Sequence, residues 1–127
     1  MPAYRTLFAM LAILLLAGCA RNSGPGSESV SPGSEVAIRI ENHHWNDVVI
    51  LLYHDGVSER VGLAGAAKTS NFFVPWRKLA AAGPVRLQAD PVSGADPVFS
   101  DNLLVQPGKL VVWTLELHLE QSSIAVY

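Results

Sequence analysis

The sequence predicts an all-β fold, a single antiparallel β-sandwich with one short helical crossing. Three observations carry that prediction. Apolar and polar residues alternate with a period of two over most of residues 35–127, as strands with one buried face require. About seven such runs recur at intervals of roughly ten residues, separated by turn signals, which is the spacing of a two-sheet all-β domain. One stretch only, residues 75–83, breaks the period.

In EVAIRIE, residues 35–41, Val36, Ile38 and Ile40 face one way and Glu35, Arg39 and Glu41 the other, so one face is wet. VVILLY, residues 48–53, is apolar on both faces and suits a central strand. His54, Asp55 and Gly56 form a turn signal, and VSERVGL completes a hairpin. TSNFFVP follows as a further strand. PWRKLAAAG opens on Pro75 and stops at Gly83, which predicts one or two helical turns crossing between sheets. In PVRLQAD, Val85, Leu87 and Ala89 oppose Arg86, Gln88 and Asp90. Gln106, Pro107 and Gly108 turn the chain into KLVVWTLELHLE, the longest alternation. There Val111, Trp113, Leu115, Leu117 and Leu119 share one face, and Thr114, Glu116, His118 and Glu120 the other. SSIAVY supplies a last strand. The pattern fits an immunoglobulin-like or transthyretin-like sandwich, with a small barrel as the alternative. Residues 35–127 number 93, enough for one domain with a real core.

Residues 1–34 read differently. MPAYR carries the amino terminus and Arg5, and TLFAMLAILLLAG follows without a charge. A spanning helix needs roughly 20 apolar residues. A short positive region, a shorter apolar core and small residues at its end describe a secretory signal peptide over residues 1–18. A plain membrane-anchor helix is the alternative that this length disfavours. From Ala20 to Ser34, ten of fifteen residues are Gly, Ser or Pro. Such a segment buries too little apolar surface to offset its ordering entropy, and it reads as a flexible tether.

The four residues Leu16, Ala17, Gly18 and Cys19 resemble the lipobox of bacterial lipoproteins. The resemblance implies cleavage between Gly18 and Cys19, a diacylglycerol thioether on the Cys19 sulfur, and acylation of the new amino group. Residues 19–34 then form a lipidated, flexible leash, and the membrane is a partner through lipid on Cys19. Ala20 stands where an aspartate would favour inner-membrane retention, so the resemblance favours the outer membrane of a Gram-negative envelope. The stretches IENHHWNDVVILLY, RVGL, FFVPWRKL, LQADP and VQPGKLVVWTLE are similar to a class of small uncharacterised envelope lipoproteins with one β-sandwich. That likeness supports the sandwich and supplies no catalytic residue.

Composition excludes several functions. The chain has 127 residues, of which 50% are apolar and 16% charged, with a formal net charge of −2. Removing residues 1–18 takes away Arg5 and no acid, leaving 8 basic and 11 acidic side chains. No basic block exists to grip phosphates, so nucleic acid is not an expected partner. A single cysteine excludes an internal disulfide and a cysteine-based zinc cluster. His43, His44, His54 and His118 match no metal-ligand spacing and read as solvated turn residues, so no metal or cofactor is expected. Neither a nucleophile elbow nor a phosphate loop is present, so the domain is read as non-catalytic, with a metal-dependent hydrolase using the histidines as the least favoured alternative. Trp113 belongs to the predicted core. Trp45 and Trp76 lie in predicted connections, where they either plug the open ends of the sandwich or bind an envelope protein or polysaccharide.

Overall fold

The computed structural model describes residues 33–80 and 83–127. The signal peptide, the lipobox with Gly18 and Cys19, and nearly all of the tether lie outside the described residues.

Eight strands form two four-stranded sheets. They are β1 (Glu35–Asn42), β2 (Val48–His54), β3 (Val57–Ala64), β4 (Lys68–Pro75), β5 (Val85–Pro91), β6 (Val98–Phe99), β7 (Leu110–Leu115) and β8 (Ser123–Val126). One sheet has the order β4-β1-β7-β8 and the other β3-β2-β5-β6. The immunoglobulin arrangement places its first two strands in one sheet. Here β1 and β2 lie in opposite sheets, a departure from that arrangement, and two separate four-stranded sheets bear out the sandwich over the small barrel. The short helix α1 (Trp76–Leu79) follows β4 and carries the chain across to β5 in the other sheet, as the Pro75 start predicts.

The period-two pattern explains the core. Val36, Ile38 and Ile40 of β1, Val85, Leu87 and Ala89 of β5, and Val111, Trp113 and Leu115 of β7 are all buried. They interdigitate between the sheets with Val48, Ile50 and Leu52 of β2. Strand β2 is central, paired with β3 on one side and β5 on the other.

Two features depart from the expected pattern. Strand β1 pairs with β7 in parallel, with Ile38 opposite Val111 and Ile40 opposite Trp113, while the other five strand pairs are antiparallel. A parallel pair needs a long connection, and β2 to β6 fill it. The long alternation also stops early. Strand β7 ends at Leu115 because its partner β1 ends at Asn42, directly opposite. The His43 N–H then donates to the Leu115 carbonyl at 2.8 Å and closes the ladder. Leu117, expected on the core face, is 51% exposed, and Leu119 returns to the core from a 3₁₀ turn, Leu119–Gln121.

At the edge where β3 meets β4, the two sheets touch through a glycine. A Cβ on Gly62 would lie 2.3 Å from Phe72 Cε1, so the Phe72 ring occupies the space a side chain would need. Opposite, the β2–β3 register slips between Ile50 and Leu51, leaving Val61 without a partner. The bulge lets Val61 pack against the core, and Phe72, in phase with buried Val74 on β4, packs there from the other sheet. Gly62→Ala is expected to destabilise the domain by about 1–3 kcal/mol through overpacking. That cost falls when Phe72→Leu is added, and urea unfolding of the four-member mutant cycle measures both.

Candidate functional site

Strand direction sorts every loop to one of two ends. The near end is where the chain enters β1. The Ser34 carbonyl accepts the Trp76 N–H at 2.8 Å, and the Glu35 carbonyl accepts the Gly108 N–H at 3.1 Å. Leu110 and Tyr127 exchange both backbone hydrogen bonds there, so the last residue lies at the same end. The far end lies about 25 Å away, the length of an eight-residue strand. It gathers the β1–β2, β3–β4, β5–β6 and β7–β8 connections.

Asn42 organises the far end. It is the last residue of β1, only 1% exposed, and its amide joins the two sheets. Its Nδ2 donates to the carbonyls of Asn46 (3.0 Å), Gly65 (3.1 Å) and Ala64 (3.4 Å), and its Oδ1 accepts the His44 N–H at 2.9 Å. His44 is buried, and its Nδ1 accepts the Asn46 N–H at 3.1 Å, so the ring carries its proton on Nε2 when neutral. The expectation that His44 is a solvated turn residue is therefore corrected. It is a buried prop beneath its own loop, because the Asn42 hydrogen bond turns the backbone and tucks the ring inward.

Further bonds fix the loop on three sides. The Ala67 N–H donates to the His44 carbonyl at 3.0 Å, and the Ala66 N–H to Asp47 Oδ1 at 2.8 Å. The Val92 N–H donates to the Asp47 carbonyl at 3.1 Å. His43 Nδ1 lies 3.3 Å from Glu116 Oε2, linking the loop to the segment after β7. On this framework stands Trp45, 72% exposed. Its ring packs only partly on His44, with centroids 6.0 Å apart. Leu117, two residues beyond Leu115, and Val92, bonded to Asp47, are exposed apolar residues of the two flanking loops. Sequence reading singles out Trp45 but not these two, because the apolar alternation continues unbroken through Leu117 and Val92 sits in an ordinary turn.

Trp76 lies at the near end. It is 37% exposed, and its Nε1 donates to the Val105 carbonyl at 2.9 Å. Trp45 and Trp76 therefore cannot grip one ligand together, since they stand at opposite ends of β1. Neither is a buried plug.

The remaining polar groups disperse. His54 sits beside Asp55 at the near end, and His118 is exposed at the far end. Among the described residues, no three of His, Cys, Asp and Glu converge on a metal position. A concave stretch of about 530 Å³ on the outer face of the first sheet is lined by Arg39, Glu41, Val112, Ala125 and Tyr127 and contains neither tryptophan. On the other sheet the Arg86 guanidinium covers the rings of Phe99 and Tyr53, at 4.8 and 5.4 Å. Among the described residues no helix is long and apolar enough to cross a membrane.

No family model matches the chain, and no curated protein matches it. Among solved structures, an NMR structure of a protein from Eubacterium rectale is similar, with a TM-score of 0.42 and 19% identity, covering 76% of this chain and 90% of that one. A likeness of that size carries no argument about function.

The frame and the tryptophan are separable. Asn42→Ala leaves buried backbone groups without partners and is expected to cost about 1–3 kcal/mol. Trp45→Ala removes an exposed ring and is expected to change stability by less than about 0.5 kcal/mol. Chemical denaturation of the two variants reads the contrast directly.

Proposed function

We propose that this protein is a lipid-anchored component of the bacterial cell envelope, whose sandwich presents a non-catalytic interaction surface at the end remote from its tether. The Leu16, Ala17, Gly18 and Cys19 motif after a charged-then-apolar leader supports the anchor. One observation carries the interaction surface. Trp45 is exposed at the apex of a loop that hydrogen bonds hold from both sheets. An aromatic on a fixed loop binds at lower entropic cost, because the backbone that carries it is already ordered. Leu117 and Val92 widen the apolar contact around it.

A protein partner is the reading favoured, because apolar Leu117 and Val92 extend the contact beyond one ring. Carbohydrate binding is the second reading, which the exposed planar ring of Trp45 also supports. It would have to rest on Trp45 without Trp76.

Two measurements test the proposal. Cys19→Ser should abolish fatty-acid incorporation and leave the unprocessed precursor, and normal maturation of that variant would contradict the anchor. A photo-crosslinking residue at position 45 in the native envelope should trap a discrete protein adduct, while the same residue at Asn71 should not. Equal trapping at both positions, or none at position 45, contradicts a far-end protein interface. A polysaccharide adduct at position 45 supports the carbohydrate reading instead.

A further inference from the structure

We infer that the near end of the sandwich rests on the lipid bilayer interface and so directs the Trp45 end away from the membrane. The inference rests on the anchoring proposed above and adds a second contact to it.

The geometry begins at Ser34. Its carbonyl accepts the backbone N–H of Trp76, so the tether joins the domain within one hydrogen bond of an aromatic side chain. The indole N–H of Trp76 is tied to the Val105 carbonyl, which brings the 103–105 segment alongside. Leu104, next to that carbonyl, is 91% exposed and is covered by no described residue. Tyr127 is exposed and locked to Leu110 at the same end. Trp76, Leu104 and Tyr127 thus lie at the end of the sandwich where the chain enters β1. Tryptophan and tyrosine are the side chains enriched at membrane–water interfaces, where a planar apolar ring and a polar tip are both satisfied.

The tether length names the occupant. Residues 19–34 comprise 16 residues. A Gly/Ser-rich chain of that length has a typical reach of roughly 20 Å. A lipid on Cys19 would hold the near end within that distance of the bilayer, and the far end some 25 Å further out. Short flexible linkers impose an effective concentration of about millimolar. A weak interface then suffices, and a few apolar side chains supply it. Charge is not the source of the attraction. Lys78 is ion-paired with Glu59, and Glu35 and Asp55 share this end with Arg77 and Lys109, so the two signs balance.

Tryptophan quenching by brominated lipid tests the inference. The full chain is coupled through Cys19, its one cysteine, to a maleimide phospholipid in phosphatidylcholine vesicles with brominated acyl chains. This fixes the tether whether or not a cell lipidates it, so failure here is distinct from failure of the anchor. In Trp45→Phe the exposed emitter is Trp76, and its emission should be largely lost. In Trp76→Phe it is Trp45, and its emission should be retained. Trp113 is buried in both and serves as the internal reference. Leu104→Asp, a change at an exposed position, should restore Trp76 emission in the Trp45→Phe background without changing the urea midpoint. Quenching of Trp45 equal to that of Trp76, or no quenching of Trp76, overturns the inference.

Discussion

The parallel pairing of β1 with β7 decides how this molecule is laid out. Parallel neighbours begin at one end of a sheet and finish at the other. The Ile38–Val111 and Ile40–Trp113 register therefore sets Glu35 beside Gly108, and the loop after Asn42 beside the segment after Leu115. An antiparallel pairing would have separated each of those neighbours by the length of the sheet. The constraint is expensive in chain, because β2 to β6 must intervene. It is stabilised by burying alternate residues of both strands: Val36, Ile38 and Ile40 against the same core as Val111, Trp113 and Leu115. The apolar pattern forbids odd shifts of this register, since a slip by one position would turn those side chains to solvent.

With the strands placed, one buried amide organises the far end. Asn42 is fully enclosed, and its amide bonds carbonyls at and just beyond the end of β3 and groups of its own loop. Asparagine suits this position because it both donates and accepts; an aspartate could not donate to three carbonyls. Such a network is rigid only when every member is satisfied, and no buried polar side-chain atom among the described residues lacks a partner. The consequence reaches function through dynamics. Asn42, Asp47 and the His44 carbonyl pin the backbone of the loop on which the exposed Trp45 ring stands.

Much of the scaffold was legible in the sequence, and the reasons are physical. Period two survives in β1, β5 and β7 because each has one face on the core. The unbroken apolar run in β2 reflects a strand flanked on both sides. Pro75 and Gly83 bracket the single helical crossing. What was not legible depends on partners distant in the chain. Leu117 is apolar and in phase with Trp113, but no strand lies beside it beyond Asn42. His44 looks like any turn histidine until Asn42 draws it inward. Gly62 carries no local signal, because its reason for being glycine is a phenylalanine ten residues on, in the opposite sheet. Trp45 and Trp76 could be named as candidates, yet only strand direction reveals that they sit at opposite ends.

These elements give a domain with two unlike ends. One receives the chain and carries Trp76, Leu104 and Tyr127; the other holds Trp45 on a hydrogen-bonded frame. The separation of the ends is the claim on which the functional reading depends. Nitroxide labels replacing Trp45 and Trp76, carried on unnatural amino acids so that Cys19 is untouched, measure it directly by double electron–electron resonance. A single narrow distance distribution centred at about 25 Å or beyond, one strand length, is the result the layout predicts. A distribution centred below about 15 Å, less than five residues of strand, would contradict it.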